Sequence, residues 1–275
     1  MTAPAEARPD AREPRPAPVR RRWRIGLAAA LAVALLAALA GLALDAAFPP
    51  DLSRARDLSR EVTDRRGRTL AILPASGGAW RLRTTVEDVP PHLVDLLIAA
   101  EDRRFRAHPG VDPLALARAA AQWACAGGRV VSGGSTITMQ VARLLEPRRR
   151  TLRSKAVEAF RALQLEARFT KDEILGLWLT LAPMGGNLEG ARAGSLAWFG
   201  RPARALDAAE SALLVALPRR PEATRPDRHP VAARAARDAV LLRRASGAGG
   251  VTDAERALLA AEVPDGRASC RERVS

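Results

Sequence analysis

"PHLVDLLIAAEDRRFRAHPG" (Pro91–Gly110) carries an apolar helical pattern straight into a pair of acids. Leu93, Val94, Leu97, Ile98 and Glu101 fall at i, i+1, i+4, i+5 and i+8, one face of a helix, and Phe105 extends that face. Pro90 and Pro91 suit the start of such a helix. Glu101 therefore belongs to the buried stripe, at the C-terminal end of its helix, while Asp102 is turned away by ~100°. Burial and the negative end of the helix dipole both act against the charged form of Glu101. That is the setting of a general base that works near neutrality. Two plainer readings compete: the helix is surfacing, or the two acids pair with Arg103 and Arg104. For Asp102 the expectation is a salt bridge or solvent.

Two further stretches bear on the same chemistry. In "GGRVVSGGSTITMQVARLLEP" (127–147) two glycine pairs lead through Gly134 to Ser135 or Thr136, either of which can cap a helix that ends before Pro147. Free amides at a helix start reached through glycines form an anion site, and an ordinary loop and cap is the competing reading. Gln140 and Arg143 are three apart and so neighbours on that helix. In "TLRSKAVEAFRALQLEARF" (151–169) Lys155 and Glu158 share a face; the plain alternative is a surface ion pair worth under about 1 kcal/mol. The preceding "EPRRRTLR" adds positive charge suited to lipid headgroups. Lys155 and Lys171 are the only lysines, so a lysine inside a motif is less easily dismissed as surface decoration.

The chain of 275 residues is long enough for one domain with appendages or two small domains. Its net charge is +14, of which residues 1–24 supply +4. No zinc-finger spacing, basic zipper or aromatic-basic RNA-binding signature accompanies that charge, so nucleic acid is not among the expected partners. Cys125 and Cys270 are too few for a disulfide framework, and Cys125, in an Ala-rich stretch, reads as a small buried residue. Ile25–Leu44 is 20 residues without a charge, about the 30 Å of a bilayer core at helical rise. Arg20, Arg21, Arg22 and Arg24 precede it. The positive-inside rule then places the N-terminus in the cytoplasm and everything after Asp45 outside. "ALAG" at 38–41 resembles a signal cleavage site, but the apolar run is long for a signal peptide.

The expected organisation is a disordered basic cytoplasmic tail (1–24), a single transmembrane anchor (25–44) and a stalk (45–79). A helical domain (80–225) and a C-terminal tail (226–275) follow. The stalk holds a β-hairpin at about 60–73, with Gly67 at its turn and a linker at 74–79. Beyond it the pattern is mainly α, with no further strand alternation. Thr170/Glu173, Asp207/Glu210 and Thr252/Glu255 are capping-box pairs; Pro147, Pro183, Gly200 and Pro218 are stops. Pro218 to Pro230 reads as extended.

These stretches, in this order, resemble the signature motifs of the peptidoglycan glycosyltransferases, glycosyltransferase family 51, the first catalytic module of class A penicillin-binding proteins. The family's E-D-x-x-F-x-x-H-x-G is matched by "EDRRFRAHPG" (101–110), its G-G-S-T-x-T-x-Q by "GGSTITMQ" (133–140) and its Lys-x-x-Glu by "KAVE" (155–158). The fourth motif is matched by "EILGLWLTLAP" (173–183) and the fifth by "GGNLEGARAGSLAWFG" (185–200). "GGSTITMQVAR", "RALQLE" and "APMGGNLEG" are most similar to the penicillin-binding protein 1C subgroup. Three positions depart from the pattern: Thr180 for the usual Asn, Trp178 for the usual Tyr, and Ser154 for an Arg. The transpeptidase that follows in bifunctional members needs S-x-x-K and K-T-G, and neither occurs, so the chain reads as truncated where that domain would follow.

The resemblance implies a lysozyme-like helical domain that polymerises lipid II into glycan strands by inverting transfer, releasing undecaprenyl pyrophosphate. It implies Glu101 as the base and Glu158 as the second catalytic carboxylate, orienting Lys155 or the donor. Arg143, Lys155 and Gln140 would hold the pyrophosphate with Gly134, Ser135 and Thr136, and Asp102, Phe105 and His108 would complete the substrate site. The implied surroundings are the plasma membrane and other cell-wall synthesis proteins. With no metal-ligand cluster in the sequence, any Mg²⁺ or Mn²⁺ would be shared with the substrate pyrophosphate. The alternatives are a lysozyme-like muramidase and a membrane-tethered scaffold. A muramidase needs a protonated acid on its leaving sugar, whereas Lys155 beside Glu158 favours the charged carboxylate.

Overall fold

The computed structural model describes residues 19–66, 69–125 and 134–247. Contacts divide the chain into two units, Met1–Pro49 and Pro50–Ser275. Among the described residues the first holds one helix, α1 (Val19–Ala47), in which Ile25–Ala47 is long and apolar enough to cross a membrane. Leu27, Leu31, Leu36 and Leu42 stand exposed on it, so its surface is apolar on every side.

The second unit begins with α2 (Ser53–Arg56), the hairpin β1 (Arg60–Thr63) and β2 (Thr69–Leu73), and β3 (Trp80–Arg81). Then come α3 (Pro91–Glu101), α4 (Pro113–Cys125), α5 (Ile137–Leu145), α6 (Leu152–Glu166) and α7 (Lys171–Leu181). The chain continues through β4 (Pro183–Gly185), β5 (Leu188–Glu189), α8 (Ala191–Phe199), α9 (Ala208–Ala216) and α10 (Pro230–Gly247). The unit is mainly helical, as the sequence pattern predicts. At its centre α9 is buried on every side from Ala209 to Ala216, which its nearly all-apolar sequence allows. The capping box of Asp207 and Glu210 starts it and Pro218 stops it, as expected. Helix α3 and helix α10 pack on α9, and α5 packs on both α6 and α7. The capping box of Thr170 and Glu173 is present on α7, and Gly200, left-handed at φ 68°, closes α8.

Several expectations need correction. The helical core does not end at residue 225: Ala233, Val240 and Leu241 of α10 are buried in it. Composition hid this, because α10 is rich in Arg and Ala and only a narrow stripe is apolar. Residues 50–59 are not a free stalk. Arg54 donates to the carbonyl of Leu144 (2.9 Å) and to Glu189 (2.8 Å), and Leu52 and Ala55 pack on the core. Arg81, only 4% exposed, donates from Nε to Glu189 (2.6 Å) and from Nη1 to the carbonyls of Arg54 (2.9 Å) and Asp57 (2.6 Å). A second sheet also exists, β3 parallel to β5 and β5 antiparallel to β4. Its strands of two and three residues are too short to show alternation. Pro218–Pro230 forms turns rather than an extended segment, and Cys125 is exposed. Gly67, Thr252, Glu255, Cys270 and the tails at 1–18 and 248–275 lie outside the described residues.

The hairpin pairs Arg60 with Leu73 and Glu61 with Ile72, as expected, and Arg192 of α8 holds it through Glu61 (2.9 Å). Gly110 is the glycine that the fold most plainly needs. Its φ is +89°, and a Cβ there would stand 2.8 Å from the carbonyl oxygen of Ala162 on α6. The loop after α3 can press this closely against α6 only without a side chain.

Candidate active site

Helix α3 ends at Glu101, and its buried stripe is Leu93, Leu96, Leu97 and Ala100. The stripe is rotated from the one the sequence suggests, since Val94 and Ile98 are only partly buried. Glu101 consequently lies at the margin of the core, its side chain 13% exposed. Both of its oxygens are held. Arg219 donates to Oε1 from Nε (2.7 Å), its Nη2 stands 2.6 Å from the same oxygen as an ion pair, and Gln140 donates from Nε2 to Oε2 (2.9 Å). Arg219 and Arg243 also donate to the carbonyl of Ala100 (3.0 and 3.2 Å), so cations meet the negative end of α3.

Glu101 opens into a cleft of about 680 Å³ that it shares with Ser135, Gln140, Arg143, Lys155 and Glu158. Three separate motifs are thus brought together around one hollow, with Arg150, Trp178 and Arg219 completing its wall. Among the described residues Arg143, Arg150 and Lys155 make no ion pair or hydrogen bond through their side chains, whereas Arg54, Arg81, Arg161 and Arg219 are each paired with a carboxylate. Glu158 is 8% exposed and likewise has no side-chain partner, so the surface ion pair to Lys155, the plainer reading of their spacing, does not form. Three unpaired cations and one unpaired, buried carboxylate around an open cleft make a site for a polar anionic ligand.

The other predicted site residues form the frame of this cleft rather than its lining. Asp102 is not directed to solvent: it is buried, and His108 Nε2 lies 3.0 Å from its Oδ2. The same Oδ2 accepts from the amide of Ile137 at the start of α5 (3.1 Å). The surfacing-helix reading therefore fails for Asp102, which a long-range partner pulls inward. Thr136 is the N-cap of α5; its hydroxyl donates to the carbonyl of Gly110 (2.5 Å) and accepts from Met139 (3.1 Å). With Asp102 and Thr136 seated on the first amides of α5, the anion site expected at that helix start is already occupied by protein. Phe105 is fully buried, and Lys171 lies over its ring at 4.4 Å while donating to the carbonyl of His108 (2.7 Å) and to Glu166 (2.7 Å). Gly134 lines a smaller hollow of about 360 Å³ beside Asp102 and Ser135. No group of three or more His, Cys, Asp or Glu suited to a metal ion occurs among the described residues.

Sequence reading missed Arg219, Arg150 and Trp178. Arg219 lies 118 residues from Glu101, so no local spacing links them. Arg150 lies in the basic run whose charge reads as suited to lipid headgroups. Of the departures from the family pattern, Thr180 is accounted for by packing: its hydroxyl accepts from the amide of Thr84 (3.0 Å) and donates to its carbonyl (3.2 Å).

Residues 67–245 match the family model of the transglycosylases, and the chain belongs to that family. It is 48% identical over 187 residues to penicillin-binding protein 1C of Escherichia coli K12, covering 68% of this chain and 24% of that protein. To penicillin-binding protein 1A of Aquifex aeolicus it is 39% identical over 184 residues, covering 66% of this chain and 25% of the relative. The crystal structure of penicillin-binding protein 1A from Haemophilus influenzae matches with a TM-score of 0.42 and 17% identity, over 75% of this chain and 21% of that one. The chain spans about a quarter of the length of the curated relatives it matches.

Proposed function

We propose that this chain polymerises lipid II into glycan strands, with Glu101 as the base and Arg143, Arg150 and Lys155 as the cationic cradle of the departing diphosphate. The observation that carries the reading is the set of three unpaired basic side chains in one cleft with a doubly held carboxylate. In the reaction the acceptor sugar's hydroxyl oxygen bonds to the donor's anomeric carbon from the face opposite the leaving group. The hydroxyl proton passes to Glu101, and the bond from the anomeric carbon to the diphosphate oxygen breaks. The electron pair leaves with undecaprenyl pyrophosphate. Fixed cations where that charge develops are usually the largest single term in such catalysis. Glu158, buried and unpaired, is suited to accept hydrogen bonds from sugar hydroxyls.

A divalent cation arriving on the diphosphate would find Glu101 and Glu158 as the carboxylates of the cleft, and Arg219 already engages Glu101. That is a thin donor set beside four basic side chains, so no step is routed through a metal. The apolar helix suits a lipid-linked donor, and the arginines before it keep the N-terminus in the cytoplasm with the catalytic unit on the outer side.

The test is a lipid II polymerisation assay on the purified chain. Strands are expected from the wild type, and Glu101→Gln is expected to reduce the rate at least about a thousandfold, since it removes the proton acceptor while retaining the shape. Lysis of finished peptidoglycan in place of strand synthesis would establish a muramidase. A folded wild-type chain without turnover would leave a scaffold.

A further inference from the structure

We propose that Trp178 is a positioning residue for the base: by donating to Gln140 it dictates which edge of that amide faces Glu101. The inference rests on the reading of Glu101 as the base. A glutamine side chain presents an oxygen and a nitrogen of nearly the same shape, and they act oppositely on a carboxylate. With nitrogen toward Glu101 the contact is a hydrogen bond; with oxygen toward it, two acceptors repel. An indole nitrogen is a donor only, so it selects the oxygen edge of the amide.

Trp178 Nε1 donates to Gln140 Oε1 at 3.0 Å, and Gln140 Nε2 then donates to Glu101 Oε2 at 2.9 Å. Trp178 is 2% exposed on α7, where water offers its N–H little alternative. Arg219 holds the other oxygen, Oε1. The carboxylate is therefore gripped from both sides, and the grip on Oε2 has a single allowed polarity. The tyrosine that the family pattern usually has at this position would not impose it, because a phenol both donates and accepts. The departure from that pattern thus makes the orientation of Gln140 independent of how a hydroxyl rotates. Trp178 reaches Glu101 only through Gln140, so it governs how the base is aimed.

The experiment is a double-mutant cycle on the full chain in detergent, reading lipid II polymerisation for W178F, Q140L and the pair together. W178F keeps an aromatic ring and loses the N–H. It is expected to lower kcat about tenfold while KM stays within about twofold, because aim is lost and binding is not. In the Q140L background W178F is expected to change nothing further. Losses that multiply in the double mutant, or a raised KM with kcat intact, would overturn the inference and leave Trp178 a packing residue. A readout apart from activity is the indole N–H resonance of Trp178 in ¹⁵N-labelled chain, identified by its absence in W178F. It is expected to shift in E101Q as well as in Q140L, because the three groups polarise one another. A resonance that does not move in E101Q would overturn the inference, whether or not the chain polymerises. A wild type that makes no strands counts against the proposed function, and the resonance then still decides the role of Trp178.

Discussion

Asp102 joins three parts of the fold at one carboxylate: the end of α3, His108 in the following loop, and the first amide of α5. The two elements it joins carry Glu101 and Gln140. Its side chain therefore ties the elements that carry Glu101 and Gln140 together, without lining the main cleft. Asp102→Ala leaves His108 Nε2 and the Ile137 amide buried without their partner, at about 1–3 kcal/mol each. The expected outcome is a stability loss of about 2–4 kcal/mol in denaturant unfolding together with a fall in polymerisation rate. If Asp102 instead met substrate directly, activity would fall with the unfolding midpoint unchanged. The neighbouring Glu101 tolerates its position at the core margin because Arg219 and Gln140 occupy both oxygens.

At the scale of elements, α7 illustrates how local chemistry positions a functional side chain. Thr170 and Glu173 form a reciprocal cap, which starts the helix where Trp178 will face Gln140 two turns later. The amide of Thr170, and then its hydroxyl, hold the Glu173 carboxyl below its ordinary value of 4.5, with burial opposing weakly. A carboxyl depressed in the folded state contributes stability above its unfolded value, and that contribution is lost as pH falls through the folded one. Wild-type stability is therefore expected to decline as pH falls below about 4.5, partly through this cap. Glu173→Ala should show a shallower decline over the same window, measured as unfolding midpoints across a pH series. An unchanged slope would remove the cap from the account. The same capping logic starts α9, where Asp207 and Glu210 set the register of the most buried helix.

For the whole molecule, α10 is the element whose place no local rule revealed. It packs on α9 and α3, and Arg243 on it reaches the end of α3 beside Glu101. Leu241→Ala, at a 2% exposed site, should cost about 2–5 kcal/mol, read from chemical unfolding. A cost below about 0.5 kcal/mol would place residues beyond 225 outside the cooperative unit. The sequence by itself determined what nearest neighbours decide: the apolar helix, the hairpin, the caps of α7 and α9, the helix stops and the motif residues that the cleft collects. Periodicity gave the helix of Glu101 but rotated its buried face, because α3 packs against α9 and α10, which lie more than a hundred residues away. Only the tertiary structure decided that Asp102 turns inward, that Arg219 meets Glu101, and that Trp178 donates to Gln140. It also decided that Arg143, Arg150 and Lys155 remain unpaired around the cleft while other arginines find acids. The physical reason is the same in each case: these are side-chain contacts between distant segments, and their partners are chosen by packing rather than by spacing along the chain.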